Sequence, residues 1–168
     1  MPKPLPDVVG PDLRVLFCGI NPSVLSYERG HHFARPGNRF WPALHGSRWT
    51  PRLMRPDEDG ELPQLGIGIT NVVDRPTRAA SELRDDELRE GAAALGRLVE
   101  EIGPRVVAVV GLGAYRVGFG HPDATVGPQD DPIGGRPAWV LPNPSGLNAH
   151  YQLPDLIREF AALRSAHA

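Results

Sequence analysis

Four short apolar runs set the rhythm of the chain: Val15 to Cys18, Leu65 to Thr70, Arg105 to Val110 and Ala138 to Leu141. Each is bounded by turn-forming residues, the pattern of buried strands. Arg105-Val106-Val107-Ala108-Val109-Val110 is the strongest of them. It is apolar on both faces, so it belongs in the middle of a covered parallel sheet. Helical spacing fills the intervals. Leu88, Ala92, Leu95, Leu98, Val99 and Ile102 line one face of a segment from Asp85 to Ile102, which Gly103-Pro104 stops. Asn38 is suited to cap a helix running to about His45. A short helix is expected from Tyr115 to Phe119, and an amphipathic one after Pro154 with Leu156, Ile157, Phe160, Ala161 and Leu163 apolar. Residues 49–64 read as a surface connection with one short helix, and residues 120–137 as a loop or an edge hairpin.

Strand and helix patterns that alternate in this way predict an α/β protein, a three-layer α/β/α sandwich on a mainly parallel sheet of about four strands. The 168 residues form one domain, with the Pro-rich residues 1–11 read as a flexible tail. Three of the strands run into polar loops, at Asn21, at Thr70-Asn71 and at Asn143-Pro144-Ser145. Parallel strands place such loops at one edge of the sheet, where open α/β sheets keep their ligand chemistry.

Charge changes this picture locally. The net charge of −2 argues weakly against a nucleic-acid partner, yet residues 28–55 hold six arginines (Arg29, Arg35, Arg39, Arg48, Arg52, Arg55) against the single acid Glu28. The acids gather elsewhere, chiefly between Asp85 and Glu101. A basic face on an acidic body suits phosphates. An ordinary solvated surface has the same composition, and charge alone leaves the choice open.

Some chemistries drop out. Lys3 is the only lysine, so the folded body offers no lysine nucleophile and no P-loop lysine. Cys18 is the only cysteine, which excludes an internal disulfide or an all-cysteine metal site. His31 and His32 lack the spaced carboxylates or thiols of a metal centre. Gly111-Leu112-Gly113 with Gly118 follows GxGxxxxG spacing rather than the dinucleotide-binding pattern, and close helix–strand packing accounts for it. No apolar run is long enough to span a bilayer, and the N-terminus lacks a secretory core. A cytoplasmic protein is expected, associated with the nucleoid if the source is bacterial.

Gly19-Ile20-Asn21-Pro22, Phe33, Asn38-Arg39-Phe40-Trp41, Asp74-Arg75-Pro76-Thr77 and Asn143-Pro144-Ser145-Gly146-Leu147 together carry a more specific signal. In this order they resemble the mismatch-specific uracil-DNA glycosylases, the family that includes the thymine-DNA glycosylases within the uracil-DNA glycosylase superfamily. The resemblance runs from Leu13 to the final helix. It implies the α/β/α fold of that superfamily, a nucleotide flipped into the cleft, and hydrolysis of the base–sugar bond.

Residue by residue, Asn21 matches the catalytic asparagine. An amide takes no proton at neutral pH; it can hold and aim a water. Aspartate at this place, as in the classical uracil-DNA glycosylases, is expected to give faster turnover. Taken alone, Asn21 reads equally well as a turn residue before Pro22. Phe33 matches the aromatic on which the flipped base stacks, a contact worth about 1–3 kcal/mol; its polar neighbours His31, His32 and Arg35 favour a cleft-side position. Ile20, Ser23, Asn71 and Asn143 are assigned to the base pocket, with Ser26 and Tyr27 helping to line the loop. Ser145, Gly146, Leu147 and Asn148 match the insertion loop, with Leu147 the wedge and the backbones of Gly146 and Asn148 facing the widowed guanine.

The sequence also departs from the family. Serine stands at position 23 where glycine is usual, so uracil is expected to be processed well and thymine poorly. Asn71 occupies a place that some relatives fill with lysine. Ala149 and His150 follow the wedge where an arginine is common. The implied activity is a monofunctional glycosylase of base-excision repair, acting as a monomer on double-stranded DNA and preferring uracil opposite guanine. It needs no metal or organic cofactor, and the missing lysine argues against strand-cleaving lyase chemistry. Two alternatives stand beside it: a glycosylase of the same fold preferring hypoxanthine or another damaged base, and a catalytically silent DNA-binding module.

Overall fold

The computed structural model describes residues 5–167. Five strands, β1 (Val15–Gly19), β2 (Ile67–Asn71), β3 (Val107–Val110), β4 (Gly127–Ile133) and β5 (Arg136–Leu141), form one sheet in the order β2-β1-β3-β5-β4. β2, β1, β3 and β5 are parallel, and β4 pairs antiparallel with β5. The expected parallel strands are all present, and β3 sits at the centre. The fifth strand comes from residues 120–137, where β4 and β5 make the edge hairpin. Pro128 and Pro132 in β4 remove backbone donors from that edge, which blunts it against pairing with another chain.

Helices cover both faces: α1 (Val24–Arg29), α2 (Phe40–Gly46), α3 (Asp85–Ile102), α4 (Leu112–Gly118) and α5 (Leu153–Ala166). β1 shows how one strand builds two cores. Val15 and Phe17 face α2 and α5, while Leu16 and Cys18 face α3 and α4, and all four are fully buried. Phe17 meets Phe40, Trp49 and Phe160 at ring separations of 5.4, 5.8 and 5.7 Å, which fixes α2 and α5 on the sheet. Burial pushes the Cys18 thiol pKa well up, so it serves as a small core residue.

Several local expectations shift. α2 starts at Phe40, and the Asn38 side chain accepts from the Phe40 N–H at 2.9 Å, so Asn38 caps the helix from one position further out. Residues 5–11 are packed rather than a loose tail. Val8 and Ile69 exchange two 2.8 Å backbone hydrogen bonds, and the Thr70 hydroxyl donates to Asp7 at 2.6 Å. Residues 1–4 of that expected tail lie outside the described residues. Gly111 and Gly118 do serve packing: a Cβ at Gly111 would fall 2.7 Å from Ile20 Cδ1, and one at Gly118 would fall 3.0 Å from the Leu88 carbonyl.

The topology decides where a ligand fits. β1 is flanked by β2 on one side and β3 on the other, so the chain changes direction across the sheet there. Loops leaving the carboxyl ends of strands at such a switch point part and leave a crevice.

Candidate active site

The crevice is a cavity of about 220 Å³ at the carboxyl ends of β1, β2, β3 and β5. That is small beside drug-sized sites of roughly 300–1,000 Å³ and suits a single heterocycle. Ile20, Asn21, Ser23, Phe33, Asn71 and Asn143 all line it, so every residue assigned to the base pocket reaches the same space. Ser145 and Leu147 complete its mouth.

Asn21 follows β1 directly, and its orientation is fixed. Nδ2 donates to the Arg75 carbonyl and to the Thr77 hydroxyl, each at 2.8 Å. A carbonyl oxygen only accepts, so the atom facing it must be the nitrogen. Both amide hydrogens are therefore used on the loop after β2. Oδ1 has no protein donor among the described residues and is left as an acceptor at the cavity wall. Thr77 is buried and donates onward to the Ala79 carbonyl at 2.8 Å, which commits its own lone pairs to Asn21. The loop is braced in turn by Arg75, whose guanidinium grips both oxygens of Glu87 at 2.9 and 2.8 Å. The hydrogen bond from Arg75, seconded by the Arg84 N–H, holds the Glu87 carboxyl pKa down at about 2.

The floor is Gly19. A Cβ there would stand 2.6 Å from Asn71 Oδ1 and 3.3 Å from Phe33 Cζ, so only glycine lets these two side chains close over the strand end. Phe33 has φ of 53°, a left-handed conformation that a bulky residue keeps only when its surroundings hold it. Its ring stacks on Phe40 at 4.0 Å and 18°. Ser23 caps α1: its hydroxyl accepts from the Ser26 N–H at 3.1 Å and donates to the Ser26 hydroxyl at 3.0 Å. The Asn71 amide makes no hydrogen bond to the described protein. Asn143 accepts from the Ser145 N–H at 2.9 Å and keeps its NH₂ free.

The loop after β5 presents Leu147 to solvent, 77% exposed. The Asn148 backbone N–H donates to the Ser145 carbonyl at 3.0 Å and its carbonyl accepts from Arg39, so both groups have partners within the protein. Gly146 packs against the Gly37 carbonyl, where a Cβ would fall at 2.7 Å. The neighbours of Phe33 also differ from expectation. His32 is buried, with Nε2 against the Pro6 carbonyl at 2.9 Å and its backbone N–H on Asp59. Of these polar neighbours of Phe33, Arg35 is the one that is exposed.

Charge at the site is one-sided. Among the described residues no aspartate or glutamate lines the cavity, whereas exposed Arg35 and Arg78 do, and neither makes an ion pair there. Other arginines of the basic stretch are neutralised locally: Arg52 pairs with Glu58 and Glu61, and Arg55 with Asp57. Among the described residues no group of three His, Cys, Asp or Glu is placed to hold a metal ion.

Sequence reasoning gave Arg39, Arg75 and Thr77 no role of their own. All three appeared within quoted motifs, but nothing in a sequence shows that a backbone carbonyl and a hydroxyl 54 and 56 positions downstream of Asn21 will receive its amide.

Comparison with known proteins agrees with this architecture. The chain is similar to a protein from Methanosarcina acetivorans, described as a candidate uracil DNA glycosylase, whose structure was solved in solution by NMR. The TM-score is 0.66 at 20% identity, covering 98% of this chain and 97% of that one, a likeness of fold. The family model described as the uracil DNA glycosylase superfamily matches residues 6–164. Spanning nearly the whole chain, that match places the protein in the uracil DNA glycosylase superfamily.

Proposed function

We propose that this glycosylase-superfamily protein removes uracil from double-stranded DNA by hydrolysis, with uracil opposite guanine its preferred substrate. The observation that carries the reading is the locked Asn21 amide, whose free Oδ1 faces a cavity of single-base size. A flipped uracil stacks on Phe33. The free Asn71 amide and the free NH₂ of Asn143 supply both donors and an acceptor, matching the mixed edge of a pyrimidine. Asn21 Oδ1 accepts a hydrogen bond from a water and aims its oxygen at C1′. As the bond from C1′ to N1 breaks, its electron pair leaves with the base, and donors at the base edge stabilise that anion. The water oxygen bonds to C1′, its proton passes to solvent, and an abasic site remains.

With no carboxylate at the cavity, catalysis rests on positioning and on dipoles rather than on proton abstraction. Leu147 fills the stack that the base has left, and Arg35 and Arg78 take backbone phosphates beside the opening. The Ser23 hydroxymethyl, fixed by its capping bonds, narrows the pocket against the methyl group of thymine.

The test is an excision panel on duplexes holding G:U, A:U, G:T and hypoxanthine pairs, with alkali to nick abasic sites. The reading predicts product from G:U ahead of A:U, and little from G:T. A protein that binds these duplexes without releasing any base would contradict it, and hypoxanthine excised ahead of uracil would move the substrate.

A further inference from the structure

Arg39 lies beneath the loop that carries Leu147. Its backbone N–H donates to the Pro144 carbonyl at 2.9 Å, and its guanidinium donates to the carbonyls of Pro144, Ser145, Asn148 and Tyr151. No carboxylate pairs with it among the described residues, so carbonyl dipoles alone match its charge. Such an arrangement suits the planar fork of arginine, which donates in several fixed directions at once. Gly146 meeting the Gly37 carbonyl adds a second point of contact between the same two loops. The next residue along, Phe40, backs the Phe33 ring at 4.0 Å.

We infer that Arg39 is a positioning residue that holds residues 143–151 in the shape presenting Leu147, and that, with Phe40, it mounts the wedge and the stacking ring on one helix start. This inference rests on the glycosylase reading for its consequence and on geometry for its existence. An exposed leucine on an unsupported loop loses conformational freedom on entering a base stack, and that cost opposes insertion. A loop already held by Arg39 avoids most of it. Arg39 therefore acts on the opening of paired DNA, and little on a base already unpaired.

The experiment uses Arg39→Lys and Leu147→Ala, singly and together, checked by near-ultraviolet circular dichroism for an intact fold. Single-turnover excision is measured on a G:U duplex and on the same uracil within an unpaired bubble. A 2-aminopurine beside the uracil reports unstacking when protein binds. Lysine is a point donor that does not span four carbonyls. Arg39→Lys is expected to slow excision from the paired duplex by about tenfold and from the bubble by less than about twofold. The fluorescence rise at saturating protein shrinks as it does in Leu147→Ala, and the double variant is no slower than the slower single. Equal slowing on both substrates, an unchanged duplex rate, or no fluorescence contrast between wild type and Arg39→Lys overturns the inference. Should wild type excise nothing while that contrast persists, the glycosylase reading fails and the role of Arg39 stands.

Discussion

The Asn21 amide donates to the Thr77 hydroxyl at 2.8 Å, and the Thr77 hydroxyl donates in turn to the Ala79 carbonyl at 2.8 Å. On the proposed mechanism Thr77 thus holds the water-aiming group without touching the reacting atoms. Thr77→Val keeps the shape and removes the acceptor. A single hydrogen bond contributes about 0.5–1.5 kcal/mol, so the single-turnover rate on G:U should fall roughly three- to tenfold with KM unchanged. A rise in KM at constant rate would show that Thr77 serves binding instead.

Aspartate at position 21 was expected to speed turnover by analogy with the classical enzymes, and the geometry here argues otherwise. The atom now facing the Arg75 carbonyl at 2.8 Å is a donor. A carboxylate would set two acceptors against each other and turn away or take up a proton. Asn21→Asp should therefore excise G:U more slowly than wild type at neutral pH. A faster variant would mean that the loop after β2 rearranges.

The Arg75–Glu87 pair gives a pH signature. Glu87 titrates at about 2 in the folded protein against an ordinary 4.5. Because the folded value is depressed, its stabilisation is complete above about 4.5 and is lost as pH falls toward 2. Thermal melts of wild type and Glu87→Gln should differ by a constant amount from about pH 5 to 8, with the gap shrinking as pH falls below about 4.5 and closing only near 2. A gap as large at pH 2.5 as at pH 7, or no gap at any pH, would deny the shift.

On the proposed reading Ser23 sets the tolerance for a methyl group. One methyl in a tight pocket is worth about 1–3 kcal/mol, or 10–200-fold in discrimination. Wild type should accordingly favour G:U over G:T within that range, and Ser23→Gly should narrow the ratio at the cost of a few tenths of a kcal/mol in the α1 cap. Competition between the two duplexes in one tube measures it. Equal excision of both by wild type would remove Ser23 as the discriminator.

Much of the fold was legible because it follows from local pattern. β3 was placed at the sheet centre by being apolar on both faces, and α3 was bounded at Gly103 by its stop signal. β4 was ambiguous because Asp130, Asp131 and two prolines mask its alternation, and only pairing with β5 makes it a strand. Residues 5–11 looked loose for a similar reason: their order comes from Ile69, Thr70 and His32, distant in sequence. The cavity-lining residues were found through motif resemblance. What holds them was not. Arg39 works through backbone carbonyls more than 100 positions away, and carbonyls carry no sequence signal.

The central claim is that the free oxygen of Asn21 aims the attacking water. Single-turnover excision of uracil from a G:U duplex by Asn21→Ala, beside wild type at matched saturation, tests it most directly. Losing a positioned catalytic group typically costs 10²–10⁴-fold, so the account predicts a fall of at least about 100-fold with duplex affinity little changed. An Asn21→Ala protein that releases uracil at the wild-type rate would contradict it.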